Sequence, residues 1–146
     1  MSTQTDLYEH DFYAWTQQQV QLLRAGKMAD LDFDHLAEEL EEMGGNRESE
    51  LENRLGILLA HLLKWRYQPQ RHSNSWKYTV KEQRRRVDRL LKKNPSLKAR
   101  LSTAFENAYG DAVLIAARET GLEEEQFPAT SPFTLEQVLD DAYWPA

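Results

Sequence analysis

Three polar side chains stand where helical spacing calls for apolar ones, and they are the residues through which this 146-residue chain could do chemistry. Glu39 falls between Leu36 and Met43, His61 flanks the series Leu58, Leu62, Trp65, and Gln83 sits midway between Val80 and Val87. A buried carboxylate is costly without a cation, a donor or a proton, so Glu39 demands a partner. Carboxylate and neutral imidazole from facing helices could hold zinc or iron, or pass a proton. Yet none of the four histidines, His10, His35, His61 and His72, follows a Glu-x-x-His or His-x-x-x-His spacing. Asp32-x-x-His35 stands at a helix start, where capping explains it. The simpler expectation is a buried hydrogen-bond network, Glu39 with an arginine and His61 with Gln83, that sets helix register. No cofactor or metal is therefore expected. No nucleophile elbow, phosphate-cradling glycine loop, dinucleotide fingerprint or calcium loop occurs.

A second constellation is electrostatic. The formal net charge is −6, but the stretch from His61 to Arg100 holds 13 lysines and arginines against two acids, Glu82 and Asp88. The density peaks in Lys77, Lys81, Arg84, Arg85, Arg86, Arg89, Lys92 and Lys93, with Lys81, Arg84, Arg85 and Arg89 as the candidate basic surface. With the aromatic–cationic run Lys64-Trp65-Arg66-Tyr67 nearby, such a helix could follow phosphates and stack a base. Against this, an acidic protein repels polyanions at long range. Arg84, Arg85 and Arg86 also fan over about 200° of a helix. The alternative is internal pairing of the basic helix with Glu38, Glu39, Glu41 and Glu42, and with Glu48, Glu50 and Glu52.

The elements that must position these groups are helices. Twenty leucines and 14 alanines face only seven valines and isoleucines, with six glycines and five prolines, a composition of helix formers. A first helix runs from an Asp6 cap to Gly26, with Leu7, Phe12, Trp15, Gln19, Leu22 and Leu23 on one stripe. A second starts at Asp32, buries Leu36, Leu40 and Met43, and ends at Gly44–Gly45. The third, from about Asn46 to Tyr67, is apolar on nearly every side and is expected at the centre of the fold.

After Pro69, Ser73 or Ser75 caps a fourth helix that turns Trp76, Val80, Gln83, Val87 and Leu90 inward. Asn94–Pro95 opens a fifth, which carries Leu97, Leu101, Phe105, Ala108, Ala112 and Ile115 inward and stops at Gly121. Thr134 and Gln137, with Phe133 and Val138, form a capping box and hydrophobic staple for a short last helix. Trp144 is expected to fold back on the bundle. The sum is an all-α, antiparallel helical bundle of about four main helices with short extra helices, in one domain over residues 1–146.

Mean hydropathy is −0.74 and cysteine is absent, which excludes a disulfide framework, a thiolate nucleophile and Cys-type metal sites. The longest apolar stretch, 57–63, contains a histidine and is too short to span a bilayer. The opening residues MSTQTDLYEHDFY lack a charged-then-apolar leader pattern, so the expected compartment is the cytoplasm.

The series DFYAWTQQQVQLLRAGK, LAEELEEMG, LLAHLLKWRYQP, SWKYTVKEQRRRVDRLLKKNPSL, AYGDAVLIAARETGL and FPATSPFTLEQVLDDAY resembles the domain-of-unknown-function family numbered 29, over roughly residues 6–144. The resemblance implies a bacterial, all-helical protein with no established activity, and no catalytic motif is carried over. The residues themselves then support a non-enzymatic domain that binds another macromolecule, first a protein. Nucleic-acid binding through 77–93 is the alternative, and a metal-dependent bundle enzyme using Glu39 and His61 is the third. A monomer and a homodimer both remain open.

Overall fold

The computed structural model describes the backbone of residues 3–146 and the side chains of residues 7–146, so the expected Asp6 cap lies outside the described residues. Among them are six α-helices and no strand: α1 (Thr3–His10), α2 (Phe12–Ala25), α3 (Phe33–Tyr67), α4 (Asn74–Lys93), α5 (Leu101–Thr120) and α6 (Leu135–Leu139). The chain is thus an all-α helical bundle, and none of these helices is long and apolar enough to cross a membrane. It forms two compact units, Met1–Gly45 and Asn46–Ala146.

In the first unit, the expected first helix is two. The Asp11 carboxylate accepts from Ala14 N at 3.0 Å and restarts the chain as α2. Gly26 ends α2 with φ at 70°, as its type predicts. The stripe is only partly buried: Trp15 and Gln19 are inside, but Phe12 and Leu23 are exposed. The expectation for the next stretch needs correction twice. Leu40 is 65 % exposed and Met43 is exposed as well, so Leu36, Leu40 and Met43 are not a buried stripe.

Nor do Gly44–Gly45 stop a helix, since α3 continues through them to Tyr67. A glycine costs a helix interior about 1 kcal/mol relative to alanine, which an established helix flanked by good formers tolerates. Nothing lies within 4 Å of a Cβ built on either glycine. Gly44→Ala and Gly45→Ala are therefore expected to stabilise α3 by about 1 kcal/mol each. Thermal melts of the two variants check this, and an unchanged or lowered Tm counts against it.

The second unit holds most of the buried apolar side chains. Leu51, Leu55, Leu58, Leu59, Ala60, Leu62 and Leu63 are fully buried, so the C-terminal half of α3 is the central rod that its all-round apolarity predicts. Against it, α5 turns a ridge of Ala104, Ala108, Ala112 and Ala116 at four-residue spacing. A Cβ on Gly56 would stand 3.8 Å from the Ala108 carbonyl oxygen, a measure of how near α3 and α5 run.

Ser73 caps α4 by accepting from Trp76 N at 3.2 Å. Val80, Gln83, Val87 and Leu90 point inward as expected. Pro95 opens a 3-10 turn (Pro95–Arg100), and α5 proper starts only at Leu101. Gly121 ends α5 with φ at 77°. The Thr134–Gln137 capping box forms in full, with Phe133 and Val138 buried beside it. Trp144 returns to within 4.6 Å of the Trp65 ring centroid.

Candidate functional site

In the first unit, the polar groups gather around Asp32. Its backbone N–H donates to Gln19 Oε1 at 2.9 Å, so the buried Gln19 anchors the entry to α3. Its carboxylate accepts from Trp15 Nε1 at 3.0 Å and from His35 Nδ1 at 2.7 Å. The Tyr8 ring stacks on His35 with centroids 3.8 Å apart. Its hydroxyl donates to Glu39 at 2.5 Å. The partner that Glu39 demands is thus a tyrosine rather than the expected arginine. That hydrogen bond, with burial and nearby acids behind it, pushes the Tyr8 pKa up to about 12.

The hydrogen bond to Asp32 raises the His35 pKa above its ordinary 6.5. Burial alone would push Asp32 up, but the bonds from His35 and Trp15 outweigh it and leave the carboxyl below its usual range. The pair therefore stabilises the first unit with a defined sign. Stability from His35 is fully present below 6.5 and fades as pH rises through its raised value. Stability from Asp32 is present above its ordinary 3.8 and is lost as pH falls through its lowered value. An NMR titration of the imidazole is expected to place the His35 midpoint above 6.5, with Asp32→Asn moving it down. A midpoint that Asp32→Asn leaves unchanged refutes the pairing.

In the second unit, His61 is half-buried and its Nδ1 donates to the Ile57 carbonyl of its own helix at 2.9 Å. Burial, with Lys64 adding to it, lowers the His61 pKa, so the ring is neutral at pH 7. The expected His61–Gln83 bond is not made: Gln83 is buried, and its Oε1 has no partner among the described residues. Among the described residues, no three histidine, aspartate and glutamate side chains come together in a group fit to hold a metal.

The basic candidates separate by position. Arg84 is a correction, since it is only 3 % exposed and belongs to the interior rather than to the basic surface. Its Nε donates to the Val138 carbonyl at 2.8 Å, and its Nη2 to those of Tyr143 at 2.8 Å and Gln137 at 3.4 Å. Trp144 lies over the guanidinium at 5.5 Å. Arg84 thus holds the C-terminal segment on α4, and burial lowers its pKa while leaving it charged.

Lys81, Arg85 and Arg89 are exposed, as expected, and line an open depression of about 540 Å³ with Tyr78, Glu82 and Arg86. Tyr78 is 58 % exposed, with Lys77 and Lys81 Nζ 5.7 and 5.8 Å from its ring centroid. The ion pairs of this face run along α4 itself, Arg86 with Glu82 and Lys92 with Asp88, both at 2.9 Å. The second-unit acids expected to pair with α4 go elsewhere. Glu48 meets Arg100, Glu50 meets Arg47 and Arg54, and Glu52 accepts from Asn107.

Two buried cations stand apart from the sequence expectations. Besides Arg84, Lys64 is 3 % exposed. It pairs with Glu119 at 3.3 Å, and its Nζ lies 5.0 Å from the Trp76 ring centroid. Arg84 was detectable, for it falls on the 80, 84, 87, 91 spacing of the buried stripe. Lys64 sits directly after Leu62–Leu63, on the helix read as apolar all round.

No curated protein and no solved structure matches the chain. A family model, described as Domain of unknown function DUF29, matches residues 7–144. The chain belongs to that family.

Proposed function

We propose that this protein is a non-enzymatic interaction domain that takes an acidic segment of a protein partner on the solvent face of α4. One observation carries the proposal: Lys81, Arg85 and Arg89 surround an open depression with an exposed tyrosine at its end, and none of the three forms an ion pair within the second unit among the described residues. Cations in such a row attract and orient an acidic partner, while their methylene stems and the Tyr78 ring supply apolar contact. Glu82 and Asp88 on the same face favour a peptide with mixed charge over a uniform polyanion. The proposal places this binding in the bacterial cytoplasm, in keeping with the family resemblance and the charge-rich, low-hydropathy composition.

A second reading has one specific support. Tyr78, flanked by two lysines, has the form of a stacking platform for a base in single-stranded nucleic acid. Fluorescence anisotropy separates the two, with a labelled acidic helical peptide and a labelled single-stranded oligonucleotide as probes. The expected result is peptide binding that weakens with salt and falls roughly tenfold or more in Arg85→Glu/Arg89→Glu. Tighter oligonucleotide binding with the same dependence replaces the first reading by the second. Binding of neither probe, or binding that ignores the substitutions, overturns both.

A further inference from the structure

The first unit leaves its apolar side chains outside. Among the described residues ten large hydrophobic side chains are exposed, and eight of them fall within residues 12–43: Phe12, Tyr13, Val20, Leu23, Met28, Phe33, Leu40 and Met43. Among the described residues its buried hydrophobic side chains are Trp15 and Leu31. A 45-residue piece with so small an interior is near the size at which chains need a partner for stability. The same stretch carries ten acids and two bases, against 14 and 16 in the second unit. Two first units would therefore repel one another, and the chemistry that fits this surface is cationic with some apolar area.

The face of α3 that combines both properties can be read from helical angles. Ala37 is its centre, Phe33 and Leu40 lie on one side, and Asp34, Glu38 and Glu41 lie on the other, all exposed. The small side chain of Ala37 permits close approach of another helix. The acids recur at spacings of four and three, which keeps them on one stripe, with about 6 Å of rise per four residues. On α4, Lys81, Arg85 and Arg89 recur every four residues, and Tyr78 precedes them by three. The two rows are opposite in charge and each spans about two helical turns, and each copy of the chain carries both.

We propose that the α3 face centred on Ala37 docks on the Lys81–Arg85–Arg89 row of α4 in a second copy of this chain. This rests on the reading of α4 as an interaction face, and names its partner. Phe33 and Leu40 lie against Tyr78 and the stems of the basic side chains, while Asp34, Glu38 and Glu41 meet the cations. Every copy has both halves, so in a dimer each α3 face has an α4 row of the other copy to meet.

Sedimentation velocity of the full chain, from micromolar to submillimolar concentration, is the test. The wild type is expected to dimerise, and added salt to dissociate the dimer. Glu38→Lys/Glu41→Lys and Arg85→Glu/Arg89→Glu are each expected to weaken self-association roughly tenfold or more, with circular dichroism showing both folded. An equal mixture of the two variants restores the dimer, since each variant's altered face is complementary to a face of the other. A wild type that stays monomeric overturns the proposal, as do reversals without effect and a mixture that fails to associate. A monomer whose α4 still captures the acidic peptide refutes self-association alone. A monomer whose α4 also ignores the peptide removes the reading of α4 with it.

Discussion

Arg84→Met is expected to lower the unfolding free energy by roughly 2–4 kcal/mol, because it strips buried main-chain acceptors of their donor. The Val138, Gln137 and Tyr143 carbonyls all point at this guanidinium, and Trp144 covers it. Water cannot readily replace a donor at a site 3 % exposed. Lysine is no substitute, since an ammonium lacks the planar fork that reaches the Val138 and Tyr143 carbonyls from different nitrogens. Lys64→Met is the instructive contrast. Lys64 is as buried as Arg84, but its partner Glu119 is 40 % exposed and can be solvated when the ammonium is gone. Its loss is expected to cost less than about 1 kcal/mol. Urea unfolding of both variants decides the matter, and equal losses would mean that the carbonyl contacts of Arg84 contribute nothing special.

The second large effect belongs to the central rod. Leu59→Ala is expected to cost about 2–5 kcal/mol, the sum of lost transfer energy and a cavity that rigid neighbours cannot fill. Leu59 is fully buried in the core cluster that also holds the other leucines of its helix and the alanines of α5. Leu114→Ala removes the same atoms from a residue 52 % exposed and is expected to change stability by less than about 0.5 kcal/mol. The comparison is made by urea midpoints, and similar shifts for both would deny that the rod is the core.

How much of this was legible in the residues depends on how local the deciding interaction is. The caps at Ser73 and Thr134, the stops at Gly26 and Gly121 and the inward set Val80, Gln83, Val87 and Leu90 all follow from neighbours within one or two turns. Gly44–Gly45 misled because a glycine pair only raises the cost of a helix, and the strong formers on either side override it. Leu40 and Met43 misled for a different reason: spacing identifies a stripe but not whether another element covers it.

Spacing locates the polar residues of the stripes, but not their partners. Tyr8 is 31 positions from Glu39, and Val138 is 54 from Arg84. Separations of that size depend on packing rather than on periodicity. Asp32 and His35 lie three apart, a spacing that reads as a helix cap, and the structure adds the side-chain pair. Their extension to Trp15, Gln19 and Tyr8 requires the α2–α3 turn to close first.

That α3 is one continuous helix with a leucine-packed half and a hydrated half has a consequence for cooperativity. Its C-terminal turns can come apart only when the second unit's interior does, whereas its N-terminal turns depend on a handful of contacts around Asp32. The two ends of a single helix are thus expected to open in separate local equilibria, the first 13 residues of α3 fraying and reforming while the leucines beyond remain dry.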